Sequence, residues 1–352
     1  MSKFLNEKLS KVTAYVPGEQ PQDKQYIKLN TNESPFPVSK RAKKLLKAEL
    51  KKIRLYPDPD LKTLTETVAL DLGVKPENVL MTNGSDEILN FAFMAFCDKQ
   101  VPAVFADITY GFYKVFAEIN DTAYRTIPLT DDFKINVTDY FNVNGTVFIA
   151  NPNAPTGINI SLDDVKKVLE NNKDNVVVID EAYVDFGGQS AVSLINEYDN
   201  LLVTRTFSKS RSMAGARLGF CVAIEKIIKD LTTVKYSTNP YNVNRLTASL
   251  GIASIKDDKY FKKCISEIVR VRDLTVNELK KLGFFVTDTR ANFIFAKTEK
   301  IDGETLYKQL KDKGILVRYF SGERVKEFVR ISVGTEKQMK SLILAIKEII
   351  GE

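Results

Sequence analysis

Five short runs of this chain are apolar at nearly every position rather than at every second one: VLMT (79–82), TVFIA (146–150), VVVID (176–180), LLVT (201–204) and FCVAI (220–224). A strand with one wet face alternates, whereas a strand covered on both faces does not. Helix-patterned stretches separate the runs, so the expected fold class is α/β, with a mostly parallel sheet covered by helices. In DLKTLTETVALDLG (60–73), Leu61, Leu64, Val68 and Leu72 share one helical face. Asp60 is placed to cap its start and Gly73 to end it. Helices are also expected at about 38–52, from Asp86, and after Ser161, where Ser161 and Asp164 occupy capping-box positions.

The texture changes after Asn244. One long helical stretch is expected over about 244–281. Strands FFVTDT, FIFAK, ILVRYF and FVRISV follow, with helices at about 303–313 and 335–350, which describes a smaller α+β domain. Residues 1–35, with prolines at 17, 21 and 35, read as an extended arm joining that domain. The expected division is arm 1–35, large domain 36–243 and small domain 244–352.

Composition removes several function classes. The chain has 352 residues and no histidine, so His-based triads and most metal sites are out of reach, and no metal is expected. Its three cysteines are odd in number and widely spaced, which favours neither a zinc site nor a disulfide framework. The net charge is +6, but the lysines are scattered over stretches such as KRAKKLLKAELKK (40–52) that read as solvated helix faces. No basic stripe or nucleic-acid module accompanies them, so no nucleic-acid partner is expected. No apolar run approaches ~20 residues, so no membrane span is expected. The N-terminus MSKFLNEKLSKV is charged, and a soluble, cytoplasmic protein is expected.

The chemistry-bearing motifs fall at the C-terminal ends of the expected strands, where open α/β sheets bind ligands. In TNGSDEIL (82–89), Gly84 and Ser85 turn the chain into a helix whose free amides suit either an ordinary cap or a phosphate. In VVVIDEAYVDF (176–186), Asp180 ends a buried strand, where a carboxylate is costly unless it meets a cation or hydrogen-bond donors. A salt bridge and a protonated ring nitrogen both satisfy that need, and Tyr183 is placed to reach a phenolic oxygen of such a ring. NPNAPTG (151–157) is a sharp turn. In TRTFSKSRSMAGARLGF (204–220), Lys209 sits among hydroxyls, and Arg217 offers a planar fork for a phosphate. A lysine held neutral by its surroundings forms Schiff bases.

Taken in order, these segments resemble the fold-type-I aminotransferases that use pyridoxal phosphate. The likeness is strongest to the histidinol-phosphate aminotransferase family and runs over nearly the whole chain. It is carried by LNTNESPF (29–36), YPDP (56–59), NGSDEIL, TYGFY (109–113), NPNAPTG, IDEAYVDF, RTFSKSRSMAGARLGF, NVN (242–244), ANF (291–293), GILVRYF (314–320) and VRISVGT (329–335).

The resemblance implies that Lys209 holds pyridoxal 5'-phosphate as a Schiff base. It implies that Asp180 pairs with the ring nitrogen, Tyr183 with the ring oxygen, and that Tyr110 stacks on the ring. Gly84, Ser85, Asp86, Ser208 and Arg217 would surround the phosphate, with Thr206 beside them. Tyr56 would reach the cofactor of a neighbouring subunit, which implies a homodimer. Arg330 would bind the anionic end of the substrate, with Arg318 and Tyr15 nearby and Asn32 on the covering arm. Where many relatives have an asparagine that contacts the ring oxygen, this chain has Ala154. Either Asn153 takes that contact or Tyr183 makes it alone.

The implied reaction carries the amino group of L-histidinol phosphate to 2-oxoglutarate by ping-pong kinetics, within histidine biosynthesis. The partners are then small-molecule amines and keto acids. An aromatic amino-acid aminotransferase and a threonine-phosphate decarboxylase share the scaffold and remain alternatives. A transcriptional regulator built on the same domain would need a DNA-binding domain in front, and only about 35 residues precede the fold.

Overall fold

The computed structural model describes residues 2–352; Met1, the first residue of the expected arm, lies outside the described residues. The arm is extended except for one helical turn, α1 (Glu7–Ser10), and a two-residue strand, β1 (Ile27–Lys28). Helices α2 (Lys40–Leu50) and α3 (Lys62–Leu72) lead into a seven-stranded sheet. Its strands are β2 (Val79–Thr82), β3 (Ala103–Ala106), β4 (Tyr124–Ile127), β5 (Thr146–Ala150), β6 (Val177–Asp180), β7 (Leu201–Thr206) and β8 (Gly219–Ala223). Between and after them run α4 (Ser85–Phe96), α5 (Phe112–Ile119), α6 (Leu162–Glu170) and α7 (Glu225–Thr238).

In space the strands run β2-β8-β7-β6-β5-β3-β4. All pairs are parallel except those of β8, which is antiparallel to both its neighbours. Every position of β2, β3, β5, β6 and β8 is buried, as two-sided cover requires. The pleat sends alternate side chains to separate cores: Val177 and Ile179 of β6 enter one, Val178 the other. The edge strand β4 escapes a search for apolar runs because three of its four residues are exposed.

The remaining elements are α8 (Arg245–Lys256), α9 (Asp258–Lys281), β9 (Phe285–Val286), β10 (Phe293–Lys297), α10 (Gly303–Asp312), β11 (Ile315–Leu316), β12 (Arg318–Tyr319), β13 (Val329–Ser332) and α11 (Glu336–Ile350). Helix α8 packs into the core of the seven-stranded sheet through Ile255, and the others build an antiparallel sheet, β12-β13-β10-β9, with a core of its own. Strand β11 pairs in parallel with β1, which ties the arm to this part of the molecule.

Four local expectations are corrected. Helix α3 is not capped by Asp60: the Lys62 amide donates to Asp58 Oδ2 at 2.9 Å, and the Asp60 amide itself donates to Asp58 Oδ1 at 3.1 Å. Leu61, left-handed at φ 50°, separates Asp60 from the first turn. The helical stretch over 244–281 is two helices broken at Asp257 (φ −106°, ψ 52°). The break is stabilised from outside: Arg211 donates to the Ser254 carbonyl at 3.0 Å and stacks 3.8 Å above the Phe261 ring. ILVRYF is not one strand, because β11 serves the arm and β12 serves β13. The arm is not wholly extended, because Asn6 caps α1 by accepting from the Leu9 amide at 2.9 Å.

Candidate active site

The C-terminal ends of β5, β6 and β7 and the N-terminus of α4 open onto one cavity. Ser85, Asp86, Tyr110, Asp180, Tyr183, Thr206, Ser208, Lys209 and Arg217 line it, together with Ala150, Pro152, Ala154 and Ala182.

One end of the cavity is built for an anion. Helix α4 begins after Gly84 (φ 80°) with no side-chain cap, which leaves its first amides free of a side-chain partner. Gly84 suits its φ of 80°, which strains a residue with a Cβ, and a Cβ there would crowd Arg217 Nη2 at 2.6 Å. Arg217 follows a 3₁₀ turn and sits left-handed at φ 53°, a backbone state that non-glycine residues adopt where the surroundings enforce it. Its guanidinium donates to Asp86 Oδ2 at 2.8 Å and to Ser208 Oγ at 3.3 Å. Asp86 also accepts from the Tyr110 hydroxyl at 2.6 Å.

The other end holds Asp180, the last residue of β6. Its carboxylate accepts from the Tyr113 hydroxyl at 3.0 Å, the Thr204 hydroxyl at 3.2 Å and the Ala182 amide at 3.2 Å. Among the described residues no basic side chain pairs with it. Burial pushes its pKa up to about 6, against the pull of Tyr113 and Thr204.

Lys209 lies between the two ends on the loop after β7. Its Nζ donates to the Thr31 carbonyl at 3.2 Å and stands 5.8 Å from the centre of the Tyr183 ring. The loop is fixed on both sides of the lysine. The Ser208 amide donates to Thr206 Oγ1 at 3.1 Å, and the Ser210 hydroxyl donates to Asp185. Tyr183 is held in turn by Asn32, whose amide donates to the phenol oxygen at 3.0 Å. Asn32 is itself left-handed (φ 56°) and anchored to Ser332 through its backbone amide at 2.7 Å and its side-chain oxygen at 2.9 Å.

Arg330 is half-buried beside this cavity, stacked 5.4 Å from Phe293 and 5.5 Å from Phe320. One of its nitrogens donates to the Asn30 carbonyl at 3.1 Å, while its Nε has no partner. Burial lowers its affinity for the proton, with Tyr183 and Tyr15 acting the other way. Arg318 is occupied by the carbonyls of Val16 at 2.8 Å and Pro17 at 3.0 Å. Tyr15 stacks on Phe112 at 4.2 Å.

Asn153 and Tyr56, both expected at the cofactor, also stand off the cavity wall. The Asn153 side chain holds the turn together: it donates to the Ile108 carbonyl at 2.9 Å and to Thr156 Oγ1 at 3.2 Å, and accepts from Thr109 at 2.7 Å. Tyr56 stacks on Tyr241 at 4.5 Å and is 77% exposed, on a separate surface hollow shared with Asn244 and Arg245. Sequence reasoning missed Tyr113, Thr204 and Thr31. The available signal was the spacing of Tyr110 and Tyr113 in TYGFY.

The donor set suits a ligand with an anionic group at the Arg217 end, a basic ring atom facing Asp180, and a carbonyl within reach of Lys209. Among the described residues no group of three or more His, Cys, Asp or Glu side chains is gathered to hold a metal.

A histidinol-phosphate aminotransferase of Brachyspira hyodysenteriae is 47% identical over 99% of this chain and 99% of its own. One of Clostridium acetobutylicum is 46% identical over the whole of both chains. The solved structure of histidinol-phosphate aminotransferase from Sinorhizobium meliloti, in complex with pyridoxal-5'-phosphate, superposes with a TM-score of 0.90 over 100% of this chain and 98% of that one. At 20% identity it speaks for the fold alone. The family model for aminotransferase class I and II matches residues 24–346. With nearly all of its length matched, the chain belongs to the class I and II aminotransferases.

Proposed function

We propose that this chain is a pyridoxal-phosphate enzyme that transfers the amino group of L-histidinol phosphate to 2-oxoglutarate, yielding imidazole-acetol phosphate and glutamate in histidine biosynthesis. The observation that carries the chemistry is one cavity holding a lysine amine, an Arg217 fork beside an uncapped helix, and a buried carboxylate with no basic partner. The full-length likeness to two histidinol-phosphate aminotransferases supports the choice of substrate.

The residues present fit the cofactor. A buried carboxylate is costly without a cation, and a protonated ring nitrogen supplies one. Arg217, Ser85, Ser208 and the first amides of α4 take its phosphate, with Gly84 leaving room and Asp86 and Thr206 alongside. Tyr110 covers the ring face, and Tyr183, oriented by Asn32, meets the ring oxygen in the place where Ala154 has nothing to offer. Asn153 supports the turn instead of touching the ligand.

When bound, the cofactor supplies an electron sink that makes the Cα–H of an amine substrate acidic. Lys209 Nζ would hold the cofactor through its carbonyl, and the same amine, once free, would be the base that takes the substrate's Cα proton and hands it back. A single flexible base on one face suffices, so a chain with no histidine loses nothing. Asp180 stays ionised and holds the ring nitrogen protonated. Arg330, with an Nε already stripped of water and partner, receives the anionic end of either substrate. Arg318 and Tyr15 border that site.

The same reading divides the chain into an arm (1–35), a large domain (36–243) and a small domain (244–352). It includes a homodimer in which Tyr56 reaches the partner's cofactor. The exposed apolar group Leu50, Ile53, Leu55, Tyr56 and Tyr241 supports a covering partner. The three unpaired cysteines suit a reducing, cytoplasmic setting.

The test is spectroscopic. The visible absorbance of the loaded enzyme should bleach on adding L-histidinol phosphate and return on adding 2-oxoglutarate. Loss of carbon dioxide from threonine phosphate without any keto acid would make the protein a lyase; bleaching by phenylalanine alone would make it an aromatic aminotransferase. Lys209→Ala should lower turnover by about 10³-fold or more while the fold persists. Wild-type turnover in that variant would end the assignment.

A further inference from the structure

We propose that Tyr113 is a positioning residue for Asp180: its phenol holds one carboxylate oxygen while Thr204 and the Ala182 amide hold the other, aiming the carboxylate at the ring nitrogen of the cofactor. This rests on the cavity being a pyridoxal-phosphate site.

Tyr113 stands in the first turn of α5 and is wholly buried. Its ring packs 5.6 Å from Phe105 and 5.7 Å from Phe148, and meets Tyr110 edge-on at 5.7 Å. Among the described residues the only polar partner of its hydroxyl is Asp180 Oδ2, at 3.0 Å. Tyr110 lies in the turn that leads into α5 and Tyr113 in its first turn, joined by the Tyr113 amide donating to the Tyr110 carbonyl at 3.1 Å, so this one junction supplies a phenol to each carboxylate of the cavity: Tyr110 to Asp86 and Tyr113 to Asp180.

The charged and titratable groups around Asp180 come from every neighbouring element. Asp86 on α4 repels its charge; Lys209 and Arg217 lie on the chain after β7; Tyr183 follows β6; Tyr110 and Tyr113 belong to α5 and the turn before it. None of its direct partners is a base. Burial pushes both phenols well above their ordinary range, so they remain donors at any working pH. In a chain without histidine, neutral donors are what is left to fix the carboxylate without neutralising it.

Tyr113→Phe removes the donor and keeps the ring. The loaded wild type and variant are dialysed to equilibrium at several pH values between about 6 and 8.5, where the carboxylate changes charge, and retained pyridoxal phosphate is measured. A hydrogen bond to a charged group corresponds to about tenfold or more in binding. The variant should lose affinity by about that factor at the acid end and less at the alkaline end, because its carboxyl protonates at higher pH. The difference should vanish with a cofactor analogue carrying carbon in place of the ring nitrogen.

Equal retention at every pH overturns the proposal. So does a loss that is uniform in pH and persists with the carbon analogue, since packing alone explains that. Should Tyr113→Phe fail to fold, Thr204→Val loosens the other oxygen and must show the same pH signature; its absence overturns the proposal. Wild-type protein that retains no cofactor at any pH overturns the site assignment and this inference together.

Discussion

Asp180 and Glu181 are neighbours in sequence, both buried, both at the end of β6, and they face opposite sides of the sheet. Asp180 lines the cavity and receives neutral donors. Glu181 points the other way, accepting from Ser190 Oγ and the Ala191 amide at 2.6 Å each, with Arg205 at 3.9 Å. Burial lifts Asp180 to about 6 and Glu181 to about 7, the latter in spite of Arg205. Arg205 is shared with Asp185, which also takes the Ser210 hydroxyl next to Lys209. Glu181 therefore belongs to a self-contained ionic cluster behind the lysine loop. Asp180 belongs to a site completed only by a ligand. A buried carboxylate that lacks a cation is the more informative of the two, because the fold has left its charge for something else to balance.

The contrast breaks most sharply on activity. Asp180→Asn should lower kcat/KM by about 10³-fold, the loss of a charge aimed at the reacting ring, whereas Glu181→Gln, which touches nothing in the cavity, should stay within about tenfold of wild type in a steady-state assay. Equal losses would erase the distinction.

The next effect is on stability without cofactor. Asp180 has a raised value in the fold, so its favourable contribution is complete below about pH 3.8 and is lost as pH rises through about 6. Chemical denaturation of wild type and Asp180→Asn at pH 4 and pH 8 should show the variant gaining up to about 3 kcal/mol relative to wild type between the two. Parallel pH curves would refute the unbalanced charge. Glu181→Gln should show a similar relative gain, developing instead as pH rises from about 4.5 through about 7. Saturation with pyridoxal phosphate then separates the pair, because it should flatten the pH dependence due to Asp180 and leave that of Glu181.

The smallest effect concerns orientation. Asn32→Ala frees the Tyr183 hydroxyl from its 3.0 Å donor and should reduce kcat by about three- to tenfold, read in single-turnover kinetics. A loss as large as that of Asp180→Asn would mean that Asn32 acts on the ligand itself.

Much of this was legible in the residues. Unbroken apolar runs announced strands covered on both faces, and Lys209, Asp180 and Arg217 stood out as polar groups at the ends of such runs. What the runs do not carry is neighbourhood. Nothing in GFCVA tells that β8 inserts antiparallel between β2 and β7, because partner choice is decided by the whole sheet. The break at Asp257 was hidden because SIKDDKY contains neither proline nor glycine, and the groups that stabilise it, Arg211 and Phe261, come from distant segments and from the next helix. Asp58 and Asp60 are equally plausible caps on paper; the left-handed Leu61 decides between them. Tyr113 was passed over for the same reason, since three aromatic residues in TYGFY look alike until α5 shows which of them turns toward Asp180.

The arm has a consequence for how the protein is made. Thr31, which receives the amine of Lys209, and Asn32, which steadies Tyr183, are held in place by Ile27 pairing with Ile315 and by bonds to Ser332. Nearly the whole chain separates those partners, so the first segment to leave the ribosome must wait for almost the last before its place exists. A nascent chain halted before residue 315 can carry its lysine, its arginine and its sheet, yet lack the wall that orients them. Catalytic competence in this fold is thus a property of finished translation, and shortened products are silent even when their central sheet has formed.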